Sequence, residues 1–207
     1  MDRKIFGMAC FVLAIVIIVT SGASFAYYTS SANNDSTITG AVNNFDVDMI
    51  LDTVYQANQL IPLDNSLVKA AISKSNNKCI DNRGYESCSL FTLTLKNNGD
   101  PQVLNGYITT SSSTYTTDNL KFQIYDVNFN PVTDVVSLSQ KANNKTYFIK
   151  NSNMVSTTLN SVDVVYYLVI WLTETGNVQN ADYAKSFSGQ VGFESISGEK
   201  LTASFST

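Results

Sequence analysis

The chain has 207 residues, enough for one substantial domain or two small ones. Its net charge is −4 and only 14% of its residues are charged. A protein that binds duplex nucleic acid needs a basic face to release counterions, so this composition argues against a nucleic-acid partner. The sequence also contains no His, which excludes Ser-His-Asp and Cys-His catalysis and removes the usual zinc ligands. We therefore expect neither an enzyme nor a metal or other cofactor.

The N-terminus has the composition of an export signal. A short polar, net-positive stretch precedes an apolar run at residues 5–19. Ser24 and Ala26 then fit the small-x-small requirement of signal peptidase, which predicts cleavage between Ala26 and Tyr27. The alternative is a retained membrane anchor, because residues 5–26 are just long enough for a bilayer span of about 20 residues. Either outcome predicts an extracellular or cell-surface location for the rest of the chain.

Cysteine usage agrees with export. Cys10 lies in the apolar N-terminal segment, which leaves Cys79 and Cys88 as a pair in the exported part. A lone pair in an exported chain predicts a disulfide. Such a bridge would close a loop of about ten residues and contribute roughly 2–3 kcal/mol to stability.

The exported part begins with a small, polar segment and continues with strand patterns. We predict a flexible or extended arm at residues 27–38 and strands at 36–42 and at Phe45–Tyr55. In the second strand, apolar residues alternate with mostly acidic ones, as in a half-buried strand. Asp64 and Asn65 are suitable N-cap residues for a short helix at about 65–74.

From Cys88 onward the alternation becomes regular. We predict strands at 132–138, 146–150 and 155–159, among others. Val164–Leu172 is almost entirely apolar, which predicts a central strand buried on both faces. No long linker or internal repeat interrupts the chain after residue 36, so we predict one domain.

Many short strands separated by turns predict an all-β fold. We expect a single β-sandwich of jelly-roll or Greek-key type with one short helix, preceded by an N-terminal signal or anchor helix. An open barrel or two small sandwiches are the alternatives. The predicted division is a signal peptide or anchor at 1–26, an arm at 27–38 and the sandwich at 39–207.

One loop has some of the spacing of a calcium-binding loop. Asp126, Asn128 and Asn130 match the first ligand positions of an EF-hand. Pro131 replaces the Gly that the sharp turn needs, and Ser137 stands where the bidentate Glu belongs. A turn between strands is therefore the better interpretation.

The end of the long apolar strand offers two further interpretations. Leu172 to Gly176 is similar to a sortase signal without its Pro, but no apolar segment follows it. Glu174 also matches the Glu of the box that promotes Lys–Asn isopeptide bonds in Gram-positive pilins. The Pro and Gly of that box are absent, so a strand end followed by a turn is the favoured interpretation.

Three segments together resemble the TasA/camelysin family of Gram-positive surface and biofilm-matrix proteins. They are the signal peptide end with the two strands after it (23–52), the strand that runs into an Asn-Gly turn (91–100), and the Phe-x-Gly strand (183–195). The cysteine pair and the helix before it depart from the family pattern. The metalloprotease label of camelysin is not carried over, because a chain without His has no conventional zinc site.

The resemblance implies a dedicated signal peptidase, a jelly-roll sandwich and fibres built by donor-strand exchange. The donor would be the arm that includes Tyr27, Tyr28, Thr37 and Ile38, because an added strand satisfies the unpaired backbone groups of a sheet edge. A disordered or self-folded N-terminus is the alternative for the same arm.

The first hypothesis is accordingly a secreted structural protein whose partners are copies of itself. Membrane contact would be made only through the N-terminal segment. The second is a membrane-anchored surface adhesin or binding module. The third is a secreted hydrolase that uses paired carboxylates, although no pair stands out in the sequence.

Overall fold

The computed structural model describes residues 38–42, 45–74, 78–81 and 83–207. The described residues all belong to one compact unit. No helix within the described ranges has the length and apolarity that a bilayer span requires.

Several predicted N-terminal features lie outside those ranges. They are the signal or anchor segment, the cleavage site at Ser24, Ala26 and Tyr27, and the arm residues Tyr28 and Thr37. These predictions stay predictions. Ile38 is described: it is the first residue of the first strand, where it lies opposite Met49.

Thirteen strands and one α-helix make up the regular structure of the described residues. They are β1 (Ile38–Val42), β2 (Phe45–Tyr55), α1 (Val68–Lys74), β3 (Cys88–Asn97), β4 (Gln102–Ser113), β5 (Leu120–Tyr125), β6 (Val136–Ser137), β7 (Lys145–Tyr147), β8 (Ile149–Lys150), β9 (Asn153–Met154), β10 (Ser156–Leu159), β11 (Val164–Leu172), β12 (Phe187–Ser195) and β13 (Lys200–Ser206). Short 3-10 turns occur at Asn65–Leu67 and Asn180–Asp182.

Apart from the two-stranded β8–β9 hairpin, the described strands form two facing antiparallel sheets. One has the order β1-β2-β3-β11-β5-β6, and the other has the order β10-β4-β12-β13, with β7 also paired to β4. Neighbours such as β3 and β11 are distant in sequence, which is the crossed order of jelly-roll and Greek-key folds. The predicted all-β sandwich with one short helix is confirmed.

Alternation of side chains builds the core between the sheets. In β2, Phe45, Val47, Met49 and Leu51 are buried while the residues between them are half-buried or exposed. The same period-2 pattern recurs in the second half of β3 and in β13, because successive side chains of a strand point to opposite faces. The core between the sheets is therefore predictable from the apolar positions of each strand.

A second, smaller core lies on the outer face of the six-stranded sheet. Helix α1 packs Val68 and Ile72 there against Trp171 of β11. Asp64 caps the preceding 3-10 turn by accepting from Ser66 N at 2.8 Å. The predicted helix and its Asp64 cap are confirmed, and the layer explains why the second half of β11 is buried on both faces.

The predicted cysteine pair belongs to this second core. Cys79 and Cys88 are fully buried and form a disulfide, with their Cα atoms 5.3 Å apart. The bridge joins the loop after α1 to the first residue of β3. The hydroxyl of Tyr55 also contacts Glu86 in this loop, and burial together with that contact raises the pKa of Tyr55 to about 12. The disulfide and this contact thus hold the loop against the sheet.

Three predicted strands are shorter in the structure. The strand expected at 132–138 is reduced to Val136–Ser137, because the backbone N–H groups of Val132 and Thr133 both donate to the carbonyl of Ile124 and so do not form a regular ladder. The strand expected at 146–150 is split into β7 and β8, and the strand expected at 155–159 begins one residue later, at Ser156; the β8–β9 hairpin lies between β7 and β10. Positive φ angles at Asn151 (51°) and Ser152 (65°) make that hairpin turn.

Two glycines lie directly beneath aromatic rings. A Cβ at Gly106 would meet the Phe148 ring at 2.2 Å in the core, and one at Gly192 would meet the Tyr107 ring at 2.5 Å on the outer face. Both rings lie close to the backbone of the five-stranded sheet. Because glycine has no Cβ, these two rings can lie directly against the backbone, and the two glycines therefore determine where the rings are placed.

Two buried serines near the start of β3 form a matched pair for a stability test. Ser87 and Ser89 are both fully buried. The Ser87 hydroxyl donates to the Tyr85 carbonyl at 3.0 Å, whereas the Ser89 hydroxyl has no hydrogen-bond partner within the described structure. A buried polar group without a partner keeps its full desolvation cost.

We expect Ser89→Ala to leave the free energy of unfolding unchanged or to raise it by about 1 kcal/mol, and Ser87→Ala to lower it by about 1 kcal/mol. Urea denaturation of both variants beside the wild type measures the difference. Equal losses in the two variants would contradict this account.

Candidate assembly edges and loop site

Two of the four sheet edges are interrupted. The six-stranded sheet ends on one side at β6, which has only two residues. The five-stranded sheet ends on one side at β7 and β10, and the β8–β9 hairpin leaves the sheet between them. Short or broken edge strands are poor templates for an added strand.

The other two edges are regular and lie on the same side of the sandwich. Strand β1 pairs only with β2, and β13 pairs only with β12, among the described strands. Strand β13 lies beside both β1 and β2. It has seven residues, no Pro and a single charged residue, Lys200. It therefore lacks most of the features that prevent strands from pairing at an edge.

The predicted arm leads directly into this side. Ile38, which the sequence assigned to the end of the arm, begins β1. Residues N-terminal to it are thus attached to the strand that lies beside β13. The structure places the start of the domain, but not the arm itself, at the regular edges.

A polar cluster covers the outer face of the five-stranded sheet. Lys145 Nζ lies 2.6 Å from Glu194 Oε2 and 4.0 Å from the centroid of the Tyr107 ring, and Tyr147 donates to Glu194 Oε1 at 2.9 Å. The hydrogen bond from Lys145 lowers the pKa of Glu194. Because the ring of Tyr107 also lies over Gly192, it is almost fully buried although it faces outward. These groups satisfy one another and stabilise the sheet.

A buried carboxylate joins two loops at one end of the sandwich. Asp182 is only 4% exposed and accepts hydrogen bonds from Thr117 Oγ1 (2.5 Å), Asn119 Nδ2 (2.9 Å) and Gln179 Nε2 (3.4 Å). Burial alone would raise the pKa of Asp182, but these three hydrogen bonds and the charge of Lys185 lower it below the ordinary value. The ionised carboxylate thus fastens the β11–β12 loop to the β4–β5 loop.

Neighbouring groups complete this connection. Tyr115 is buried beside it, and burial together with the charge of Asp182 raises the pKa of Tyr115 to about 12. Ser186 N donates to Thr114 Oγ1 at 2.8 Å, and Gln140 Nε2 donates to the carbonyl of Thr117 at 2.7 Å. The contacts of Asp182 and Ser186 therefore hold the second half of the β11–β12 loop against the β4–β5 loop.

The Asp126 loop is a turn, as the sequence favoured. Asp126 Oδ1 accepts from the backbone N–H groups of Asn128 and Asn130, both at 2.8 Å. The hydrogen bond from Asn130 is the main reason that the pKa of Asp126 is lowered. No cluster of three or more His, Cys, Asp or Glu residues with metal-site geometry occurs in the described part of the chain.

Glu174 lies in the turn after β11 and is exposed. Its backbone N–H donates to the Leu63 carbonyl at 3.1 Å. A Lys–Asn contact does occur elsewhere: Lys69 Nζ of α1 donates to Asn130 Oδ1 of the β5–β6 turn at 3.3 Å, without Glu174. The structure thus gives no support to an isopeptide role for Glu174.

The Asp182 and Lys145–Glu194 clusters were not predicted from the sequence. Asp182 binds residues that precede it by 63 and 65 positions, and Glu194 follows Lys145 by 49 positions. No local motif links such partners.

Comparisons with known proteins add little to this picture. No family model matches the chain, and no curated protein matches it. Among solved structures, the chain is similar to AvmM, which catalyses macrocyclization in alchivemycin A biosynthesis, at 11% identity over 83% of this chain and 95% of that chain, with a TM-score of 0.36. It is also similar to ACE19, the collagen-binding subdomain of the Enterococcus faecalis surface protein ACE, at 12% identity over 59% of this chain and 87% of that chain, with a TM-score of 0.20.

Likenesses at these TM-scores carry no argument about function. The sandwich assignment rests instead on the strand pairing described above. The resemblance to the TasA/camelysin family stays a prediction.

Asp182 gives a pH-dependent prediction. Its pKa is lower in the folded protein than the unfolded value of about 3.9, so its stabilisation is complete above that value and is lost as the pH falls through the folded pKa. We expect Asp182→Asn to lower the free energy of unfolding by about 1–3 kcal/mol at pH 7 and by clearly less at pH 3.

Urea denaturation at both pH values measures the change. Asp118→Asn, an exposed residue of the adjacent loop, is the control and should have little effect at either pH. A deficit in Asp182→Asn that is the same at pH 7 and pH 3 would contradict the role assigned to the ionised carboxylate.

Proposed function

We propose that this chain is an exported structural protein that assembles into fibres at the cell surface or in a biofilm matrix. In this proposal the N-terminal arm of one copy adds a strand to the sheet edge of the next. The supporting observation is that both regular edges, β1 and β13, lie on the side where the arm enters the domain.

The free edge of β13 is the better acceptor. It is longer than β1 and begins with its only charge, Lys200. A strand added there would satisfy N–H and C=O groups that have no partner strand among the described residues. The outward side chains of Thr202 and Ser204 are small and leave the edge accessible.

The proposal includes export but no catalysis. Export is supported by the apolar N-terminal segment and by the Cys79–Cys88 disulfide, since disulfides persist in oxidising compartments. The absence of His from the sequence supports a non-catalytic role. Copies of the same chain are the proposed partners, and a signal peptidase would release the arm.

Deletion of residues 27–37 tests the donor role of the arm. The deletion stops before Ile38 because that residue belongs to β1. We expect a protein that unfolds at the same urea concentration as the wild type but forms no filaments in negative-stain electron microscopy. Filaments formed by the deletion variant would refute the donor-strand proposal.

A lysine on β13 tests the acceptor edge. We expect Ser204→Lys to reduce filament formation at least tenfold, because charged side chains on an edge strand oppose pairing. Thr158→Lys, on an exposed position of the interrupted β10 edge, is the matched control and should assemble normally. If both variants assemble like the wild type while the arm deletion does not, the acceptor is not β13.

A membrane-anchored binding module is the second candidate. It requires that residues 5–26 remain attached, so that the arm is tethered. N-terminal sequencing of the exported protein distinguishes the two candidates: a sequence beginning at Tyr27 favours fibres, and an intact N-terminus favours the anchored module.

A further inference from the structure

The loop between β11 and β12 contains an unusual run of three residues. Asp182 is a nearly fully buried carboxylate, Tyr183 is a 68% exposed aromatic residue, and Ala184 has a positive φ of 52°. Each feature is unfavourable by itself. The loop from 173 to 186 is also long for a connection between strands.

The packing of the sandwich does not account for this run. A left-handed conformation costs a residue such as Ala roughly 1–2 kcal/mol, and Ala has no polar side chain to compensate for it. The Tyr183 side chain contacts no other ring and makes no hydrogen bond within the described structure, so its exposure gains nothing for the fold. By contrast Phe129, which also has a positive φ, stacks on Tyr167 with ring centroids 4.9 Å apart.

Strained backbone and a buried charge beside an exposed aromatic residue are typical of a binding loop. Strain persists where surrounding contacts enforce it, and such positions concentrate at ligand sites. Here the enforcing contacts are the hydrogen bonds of Asp182 to Thr117 and Asn119. They hold the loop backbone at Tyr183 in place before any ligand arrives, which reduces the entropy cost of ordering the loop on binding.

The exposed side chains of the two joined loops indicate the chemistry of the ligand. Apart from Tyr183, six of them carry a hydroxyl or amide group, whereas Asp118, Glu174 and Val178 are the exposed acidic and large apolar ones; the six are Thr114, Thr116, Thr175, Asn177, Asn180 and Ser186. Such groups both donate and accept hydrogen bonds, which matches a ligand rich in hydroxyl groups. An aromatic ring among a few polar groups provides an apolar platform together with orientation.

We propose that Tyr183 is the stacking residue of a carbohydrate-binding site on these two loops, with a neutral oligosaccharide as its ligand. Asp182 is a positioning residue: it fixes the loop and does not touch the sugar. This site lies on loops at an end of the sandwich, and it does not depend on the proposed strand addition.

The test uses the exported protein and an immobilised panel of neutral oligosaccharides built from glucose, galactose, mannose or N-acetylglucosamine. We expect binding to at least one of them, with a loss of tenfold or more in Tyr183→Ala and less than threefold in Tyr183→Phe. Tyr85→Ala is the matched control, because Tyr85 is also exposed, at 53%, on a different loop, and it should bind like the wild type.

Further measurements separate this role from a structural one. Tyr183→Ala should unfold at the wild-type urea concentration, because the side chain is exposed. Asp182→Asn should weaken binding several-fold at pH 7 where it is still folded. Absence of binding to the whole panel, or binding that Tyr183→Ala retains, would overturn the proposal, and impaired filament formation in Tyr183→Ala without any sugar binding would assign the surface to contacts between copies.

Discussion

Burial of β11 on both faces is the constraint on which the rest of the structure depends. Leu168 and Ile170 enter the core between the sheets, while Val169 and Trp171 face the helix layer. The strand pairs with β3 on one side and β5 on the other. One apolar segment therefore fixes the centre of the six-stranded sheet and holds both cores together. A polar residue on either face of its second half would leave an unsatisfied group in one of them.

Helix α1 and the disulfide loop follow from this constraint. The outer apolar face of β11 must be covered, and the chain covers it with a short helix held by Asp64, Asn65 and the cysteine bridge. Asn65 Oδ1 accepts from Trp171 Nε1 at 2.9 Å, so the indole keeps its hydrogen bond although it is buried. The first four residues of β11 are only half-buried, and the last of them, Tyr167, packs at the margin of this layer against Phe129.

The sequence predicted features that depend on local periodicity. The alternation in β2, the Asp64 cap and the apolar run of β11 each carry their signal within about ten residues. Strand order has no such local signal, because the pairing of β3 with β11 joins residues that are 69 (Val164 and Leu95) to 83 (Trp171 and Cys88) positions apart. The failure at 132–138 arose because an apolar pattern does not show that Val132 and Thr133 share one carbonyl acceptor. The Asp182 contacts were invisible for the same reason as the strand order.

The regular edges and the Asp182 loop belong to different elements of the domain. The edges run along the strands, whereas the loop connects strand ends. The two regions meet where Phe187, the first residue after the loop, exchanges backbone hydrogen bonds with Thr207, directly after β13. A fibre of such domains would present each Asp182 loop once per subunit.

The contacts between glycines and aromatic rings restrict how this sequence can change over time. Gly106 and Phe148, like Gly192 and Tyr107, occupy a single volume between them. A methyl group at either glycine is tolerated only if the opposing ring becomes smaller or moves, and loss of the ring would expose bare backbone. We therefore expect the two positions of each pair to vary together, because a change at one requires a compensating change at the other.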